Sequence, residues 1–372
     1  MRAALATHAD DFTRFICLGG EISWQGAEVQ WSKARVHWPS MPTNSGIALR
    51  IGNFRGPFNA ADANGQFIIK CAQEILAEAR ANAVIPAEFQ IDFDCADSKL
   101  YGYAVWLREM RKQLGPIPLT ITCLPSWLNQ REFAHLLEQV DGYVLQVHAV
   151  TLPRGAAPIN LCDPEQARNA VMRAAAYRKP FRVALPTYGC ALYFDREKRF
   201  VNIRAESPPG LEWEEGTTVQ RVQANPAEMA ALVRSWQQRH SEYLQGIIWF
   251  RLPVSSDEFN WSWVTLEQVM AGTNPEAAVG VEHRVSGDGL IEIDVLNSGA
   301  ADSATPTKVT VSWTNSSVIA TDALNGYERS TATSSHIELH TLAPFNIKPS
   351  ERRTIAWLRL TEPAKLSLQV SR

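Results

Sequence analysis

The sequence predicts an α/β fold, a TIM-type (β/α)₈ barrel that lacks its first strand in this chain and is followed by a small all-β sandwich. Two observations support this. Seven apolar, strand-like runs alternate with amphipathic helical stretches up to about residue 273, a pattern typical of parallel strands joined by right-handed crossovers. From residue 274 onward, short alternating runs separated by Gly, Ser, Asn and Pro replace the helices, which indicates a sandwich. We therefore place the domains at 1–273 and 274–372.

The predicted barrel strands are the densest apolar runs, at 14–24, 46–54, 88–95, 118–124, 142–150, 181–192 and 246–253. Helices are predicted between them at 66–83, 99–114, 130–140, 164–177 and 226–244. Two helices begin with a capping residue and a proline, at Asp163-Pro164 and Asn225-Pro226. The segment 3–13 is typical of the first helix, so the missing strand is expected upstream of Met1. The alternative, a doubly wound open sheet, lacks a GxGxxG or Walker loop.

Composition argues against several classes of protein. The net charge is −3 and no basic block appears, so we expect no nucleic-acid partner. No apolar run could span a bilayer. The N-terminus becomes polar too early for a signal peptide, so the chain as written is expected to be cytoplasmic, or exported if its start is truncated.

The six cysteines lack CxxC spacing. Cys95 and Cys123 end consecutive strands, which leaves a disulfide between them open.

The run from Phe89 to Cys95 carries the strongest functional signal. Apolar residues alternate with Gln90, Asp92 and Asp94, so these three polar side chains share one face of a strand. Two carboxylates about 7 Å apart on one face are costly to bury unpaired. Because barrel active sites lie at the carboxyl ends of the strands, this run predicts a site.

Other strands end in side chains that suit a sugar, since sugar rings have apolar faces and hydroxyl edges. We predict a carbohydrate ligand or substrate, with Asp94 as the proton donor, Asp92 raising the pKa of Asp94, and Glu21 as the second carboxylate of an inverting-type pair. The predicted substrate-binding residues are Arg50, Trp127, Gln146, His148, Tyr188, Trp249 and Arg251.

Two alternatives stay open for these residues. Asp92 pairs with Arg50 or Arg251 and only braces the barrel, or His148 joins the carboxylates in a metal site. The metal alternative lacks the HxH or HxxxH spacing that usually supplies two ligands. We therefore predict no metal and no cofactor.

Four motifs in order resemble an uncharacterised bacterial family, domain of unknown function 3142: QIDFDC at 90–95, TCLPSWL at 122–128, YVLQVH at 143–148 and PTYG at 186–189. The resemblance covers about 14–270 and the β-rich tail, and it implies a glycosidase-like barrel without a defined activity. The acidic strand is also similar to that of chitinase-like glycosidases, whose catalytic glutamate would fall at Ala96. Two hypotheses follow, a glycoside hydrolase that uses Asp94 and Glu21, and a non-catalytic carbohydrate-binding or assembly protein on a degenerate barrel.

Overall fold

The computed structural model describes residues 2–26, 28–59, 62–149, 160–204, 216–254, 257, 259–286, 289–342 and 344–371. The chain forms two compact units, one made of Met1–Ala224 with Gln238–Asn260 and the other of Asn225–Gln237 with Trp261–Arg372. The predicted domain boundary after residue 273 stays a prediction.

Strands and helices alternate through most of the first unit, as predicted. Its elements are α1 (Arg2–His8), β1 (Ile16–Gln25), β2 (Glu28–Lys33), β3 (Gly46–Ile51), α2 (Ala63–Ala81), β4 (Phe89–Phe93), α3 (Leu100–Leu114), β5 (Leu119–Cys123), α4 (Glu132–Leu137), β6 (Gly142–Gln146), α5 (Pro164–Ala175), β7 (Phe181–Pro186), β8 (Gly189–Phe194), β9 (Phe200–Arg204), β10 (Thr218–Gln223) and β11 (Leu244–Phe250).

The main sheet has eight strands within the described ranges, in the order β11-β7-β6-β5-β4-β3-β1-β2. Only β2 runs antiparallel to its neighbour, and the other pairs are parallel. This confirms a mixed α/β fold with a parallel sheet. A closed barrel is not confirmed, since β2 and β11 lie at opposite ends of the strand order.

An ion pair spans this sheet at the amino-terminal end of its strands. The Glu88 carboxylate, which precedes β4 and is 2% exposed, accepts a 2.6 Å hydrogen bond from Arg182 of β7 and lies 3.5 Å from Arg14. In a flat sheet β4 and β7 would be about 14 Å apart. Extended Arg and Glu side chains reach across the two intervening strands, so this contact ties the start of β4 to β7.

The other face of β4 packs against α3. Phe93 contacts Tyr103 edge-on, with ring centroids 5.1 Å apart, and Trp106 at 6.3 Å. The predicted caps form as well, because Asp163 accepts from the backbone N–H groups of Glu165 and Gln166. Phe89, Ile91 and Phe93 therefore belong to the sheet–helix layer, and the polar residues of β4 face inward.

The second unit contains α6 (Pro226–Gln238) and α7 (Trp263–Met270), followed by strands. These are β12 (Val279–Ser286), β13 (Leu290–Asn297), β14 (Ser303–Ala304), β15 (Lys308–Trp313), β16 (Val318–Ala323), β17 (Glu328–Ala332), β18 (His336–His340), β19 (Asn346–Ile347), β20 (Arg352–Leu360) and β21 (Leu366–Ser371). Two four-stranded antiparallel sheets, β12-β13-β20-β16 and β17-β18-β15-β21, share one apolar core. The later all-β part is thus confirmed.

One carboxylate lies inside this β unit. Asp294 of β13 is fully buried and accepts hydrogen bonds from Arg284 (2.8 Å), Arg352 (3.1 Å) and Thr354 (2.7 Å). Burial raises the pKa of Asp294, but these hydrogen bonds outweigh it and hold the pKa below its usual value of 3.8.

The thiols of Cys95 and Cys123 are free and buried. Each lies near the carbonyl oxygen of the next residue, at 3.6 Å for Cys95 and 3.4 Å for Cys123. Because both thiols are free, no disulfide joins the two strands, and burial raises the pKa of Cys95 to about 12. Among the described residues, no helix combines the length and apolar character needed to cross a membrane.

Candidate functional site

Three neighbouring strands bring Glu21, Arg50 and Asp92 together. The parallel register aligns Glu21 of β1 with Arg50 of β3, and Arg50 with Asp92 of β4. The half-exposed Arg50 Nε lies 3.9 Å from Glu21 Oε1 and 4.0 Å from Asp92 Oδ2. Arg50 therefore lies between the Glu21 and Asp92 carboxylates and offsets the repulsion between their charges.

Gln146 supports Asp92 from two strands away. Its Nε2 donates a 3.2 Å hydrogen bond to Asp92 Oδ1, so one of its amide protons points at a carboxylate and not toward an incoming hydroxyl. The alternative in which Asp92 only braces the sheet gains support from this contact and from Arg50. Asp92 is therefore fixed in place by two strands on opposite sides of β4.

Asp94 lies just beyond the end of β4 and is exposed. Its pKa is raised, first by desolvation and then by the negative charge of Asp92, while Arg50 opposes the shift. A raised pKa favours the protonated carboxyl, which is the form that a proton donor needs.

His148, Tyr188 and Phe250 form a second group at the same ends of the strands. The Tyr188 hydroxyl lies 3.3 Å from His148 Nδ1, and Phe250 stacks on His148 with ring centroids 5.5 Å apart. Burial lowers the pKa of His148 to about 4 and raises that of Tyr188 to about 12. Both groups are therefore neutral near pH 7, and the tautomer of His148 decides which of the two donates the hydrogen bond.

The strand β11 places Phe250, and not the predicted Trp249, beside His148 and Tyr188. Phe250, which sequence reasoning missed, contacts both His148 and Tyr188. Because side chains alternate along a strand, Trp249 faces away from His148. Arg251 is committed elsewhere, since its NH2 donates a 3.0 Å hydrogen bond to Asp257, which also accepts from Asn260. The predicted substrate-binding roles of Trp249 and Arg251 stay predictions.

Trp127 belongs to the packed interior. It lies in a short 3₁₀ turn at Pro125–Asn129, is 0% exposed, and donates a 3.0 Å hydrogen bond from Nε1 to the Cys95 carbonyl. Its ring sits between Tyr103 and Phe133. The residue predicted to face a ligand thus has no surface open to one.

Asp97 follows Ala96, the position at which chitinase-like enzymes would carry glutamate. Asp97 accepts hydrogen bonds from Ser126 Oγ at 2.8 Å and Gln130 Nε2 at 3.3 Å, so it braces the loops after β4 and β5. In the part of the chain that the structure describes, no group of three or more His, Cys, Asp and Glu side chains is placed to hold a metal ion.

The fold and the site define an α/β protein with polar and aromatic side chains at the carboxyl ends of a parallel sheet. The family model described as domain of unknown function 3142 matches residues 55–255. The chain belongs to this family, which confirms the resemblance drawn from the four motifs. A second model, domain of unknown function 8456, matches residues 281–361. No curated protein matches the chain.

Several solved structures are similar to this chain. A chitinase from Chromobacterium violaceum ATCC 12472 has a TM-score of 0.48 at 13% identity, covering 72% of this chain and 95% of that one. The spore cortex-lytic enzyme SleL of Bacillus cereus has a TM-score of 0.45 at 14% identity, covering 73% and 70%. A chitinase from Bacteroides thetaiotaomicron has a TM-score of 0.42 at 14% identity, covering 65% and 81%.

Proposed function

We propose that this chain is a glycoside hydrolase-like protein that binds a polysaccharide or cell-envelope glycan at the rim of a TIM-type barrel lacking one strand, with Asp94 as the proton donor. One observation carries the proposal: the carboxyl of Asp94, with its raised pKa, and the neutral His148–Tyr188 pair lie at the same ends of one parallel sheet. Cleavage of a glycosidic bond requires an acid that protonates the leaving oxygen, and neutral hydrogen-bonding groups beside it can hold the sugar.

The second group supplies the features that bind a sugar. Phe250 is 43% exposed, so its ring can lie against the apolar face of a pyranose. Tyr188 and His148 at its edge offer a hydroxyl and a neutral imidazole to the sugar hydroxyls. Because neither is charged near pH 7, this group favours an uncharged part of the glycan.

Asp94 and Glu21 have different roles in the proposed reaction. Asp94 would protonate the leaving glycosidic oxygen, and Glu21 would activate water or stabilise the oxocarbenium ion. Arg50, between Glu21 and Asp92, would offset the repulsion between their charges. Gln146 holds Asp92 in place, so the negative charge that favours protonation of Asp94 stays near it.

A second candidate is a protein that binds the same glycans without cleaving them. The observation that favours it is Ala96, since a chitinase-type catalytic glutamate is missing from this position. In a protein that binds without cleaving, Asp94 would only accept hydrogen bonds from sugar hydroxyls.

A glycan array combined with hydrolysis assays tests both candidates. The wild type should bind and cleave at least one glycan, and Asp94→Asn should bind it without turnover. The matched control is Asp97→Asn, which changes a neighbouring carboxylate that braces loops and should keep turnover. Full turnover in Asp94→Asn would remove Asp94 from the mechanism. Binding by both proteins with turnover by neither would establish the second candidate.

Phe250→Ala separates the sugar platform from the acid. This variant should weaken glycan binding about tenfold or more, because a stacked aromatic side chain is a typical binding hot spot. Trp249→Ala, which changes the neighbour that faces away, should leave affinity nearly unchanged. An equal loss in both variants would contradict the assignment of Phe250 as the platform.

A further inference from the structure

The inward face of β4 carries a column of polar residues that the proposed chemistry does not use. Glu88 and Gln90 lie below Asp92 on this face and are 2% and 8% exposed. Asp92 is held by Gln146 and Arg50 at the top, and Glu88 by Arg182 at the bottom. Gln90 lies between these two supported levels.

Three oxygens in this column are buried and have no hydrogen-bond partner among the described residues: Glu88 Oε1, Gln90 Oε1 and Thr120 Oγ1. Thr120, 5% exposed, pairs directly with Gln90 in the β4–β5 ladder, so the two side chains are neighbours on one face. Native proteins leave very few such atoms unsatisfied. Gln90 and Thr120 share one level of the sheet and Glu88 lies at the next level below, so one ligand between these levels would satisfy all three oxygens.

The neighbouring strands place small residues beside Gln90 and Thr120. Gln90 pairs with Ala48 on β3, and Thr120 pairs with Gly142 on β6. Both flanking residues are among the smallest, so the layer next to the two polar side chains is not filled by bulky ones. Buried polar atoms next to small side chains suit an ordered water molecule.

We propose that water binds between Glu88, Gln90 and Thr120. The hydrogen bonds balance, because one water donates two protons, to Glu88 Oε1 and Gln90 Oε1, and accepts one from the Thr120 hydroxyl. The water joins the Glu88–Arg182 pair to the layer directly under Asp92, so a hydrated polar column runs along the inner face of β4. This inference does not depend on whether the chain cleaves a sugar.

An experimental structure of the wild type tests the site directly. A crystal structure at a resolution that shows ordered solvent should contain a water within hydrogen-bond distance of Glu88 Oε1, Gln90 Oε1 and Thr120 Oγ1. A dry site, or a direct hydrogen bond from Thr120 to Gln90 with nothing between, would overturn the proposal.

Thr120→Val gives an independent test through stability. This change keeps the shape and removes the hydroxyl, so the melting temperature should fall if the hydroxyl binds water and rise if it is buried unpaired. The matched control is Thr122→Val, which removes a hydroxyl that accepts a hydrogen bond from the Phe93 N–H and should lower the melting temperature. A rise for Thr120→Val alongside a fall for Thr122→Val would contradict the bound water.

Discussion

Trp127→Phe should lower stability without lowering glycan affinity. The change leaves the buried Cys95 carbonyl without the Nε1–H donor that now lies 3.0 Å from it, a loss of about 1–3 kcal/mol. Shrinking a ring that is 0% exposed adds about 1 kcal/mol for the space left behind. Together these amount to about 3 kcal/mol, or a fall in melting temperature of about 6–12 °C for a unit of this size.

Urea unfolding followed by circular dichroism measures this change, and the glycan array measures affinity in the same preparations. Phe133→Leu is a suitable control, because it also shrinks a fully buried ring of this cluster without removing a hydrogen bond. It should cost less than Trp127→Phe. If Trp127→Phe is as stable as the wild type but no longer binds glycan, Trp127 contacts the ligand and the structural reasoning fails.

Three further predictions concern buried ionisable groups. Glu88→Gln should destabilise the first unit by about 3–5 kcal/mol in urea unfolding, since Arg182 would lose its buried carboxylate partner; a change below about 1 kcal/mol would contradict this. His148 has a pKa of about 4, so its NMR signals should show a neutral ring down to about pH 5, and protonation near pH 6.5 would refute its burial. The lowered pKa of Asp294 should stabilise the β unit above pH 3.8, and this contribution should be lost as the pH falls below that value. In melts between pH 7 and 3, Asp294→Asn should therefore be less stable near neutrality and show a weaker dependence on pH; parallel pH curves for variant and wild type would argue against this role.

The parallel strands themselves could be predicted because each one is a local signal. β4 is the clearest case, since Phe89, Ile91 and Phe93 alternate with polar residues and bury one face. Closure of the barrel could not be predicted in the same way, because it depends on pairing between distant strands, which no local pattern encodes. The structure correspondingly shows the strand order and leaves β2 and β11 apart.

The last strand shows why the residues of a site are harder to predict than the strand itself. Ile247, Ile248, Trp249 and Phe250 are apolar on both faces, so alternation separates Trp249 from Phe250 but does not say which one points inward. Only the contact of Phe250 with His148 and Tyr188, which follow two other strands, decides it. The burial of Trp127 could not be predicted for a related reason. Its indole N–H donates to a backbone carbonyl, and a sequence pattern does not show which carbonyl will lie nearby.

One face of β4 is apolar and the other is polar. The number of residues in the strand therefore matters more than the identity of any single side chain. Deleting one residue within 89–93 would exchange the faces downstream of the deletion, turning a phenylalanine toward the rim and a carboxylate toward α3. Such a change would disturb the aromatic layer and the acidic centre at once, whereas a point substitution disturbs one of them. We therefore expect this short segment to reject insertions and deletions far more strongly than exchanges of similar residues.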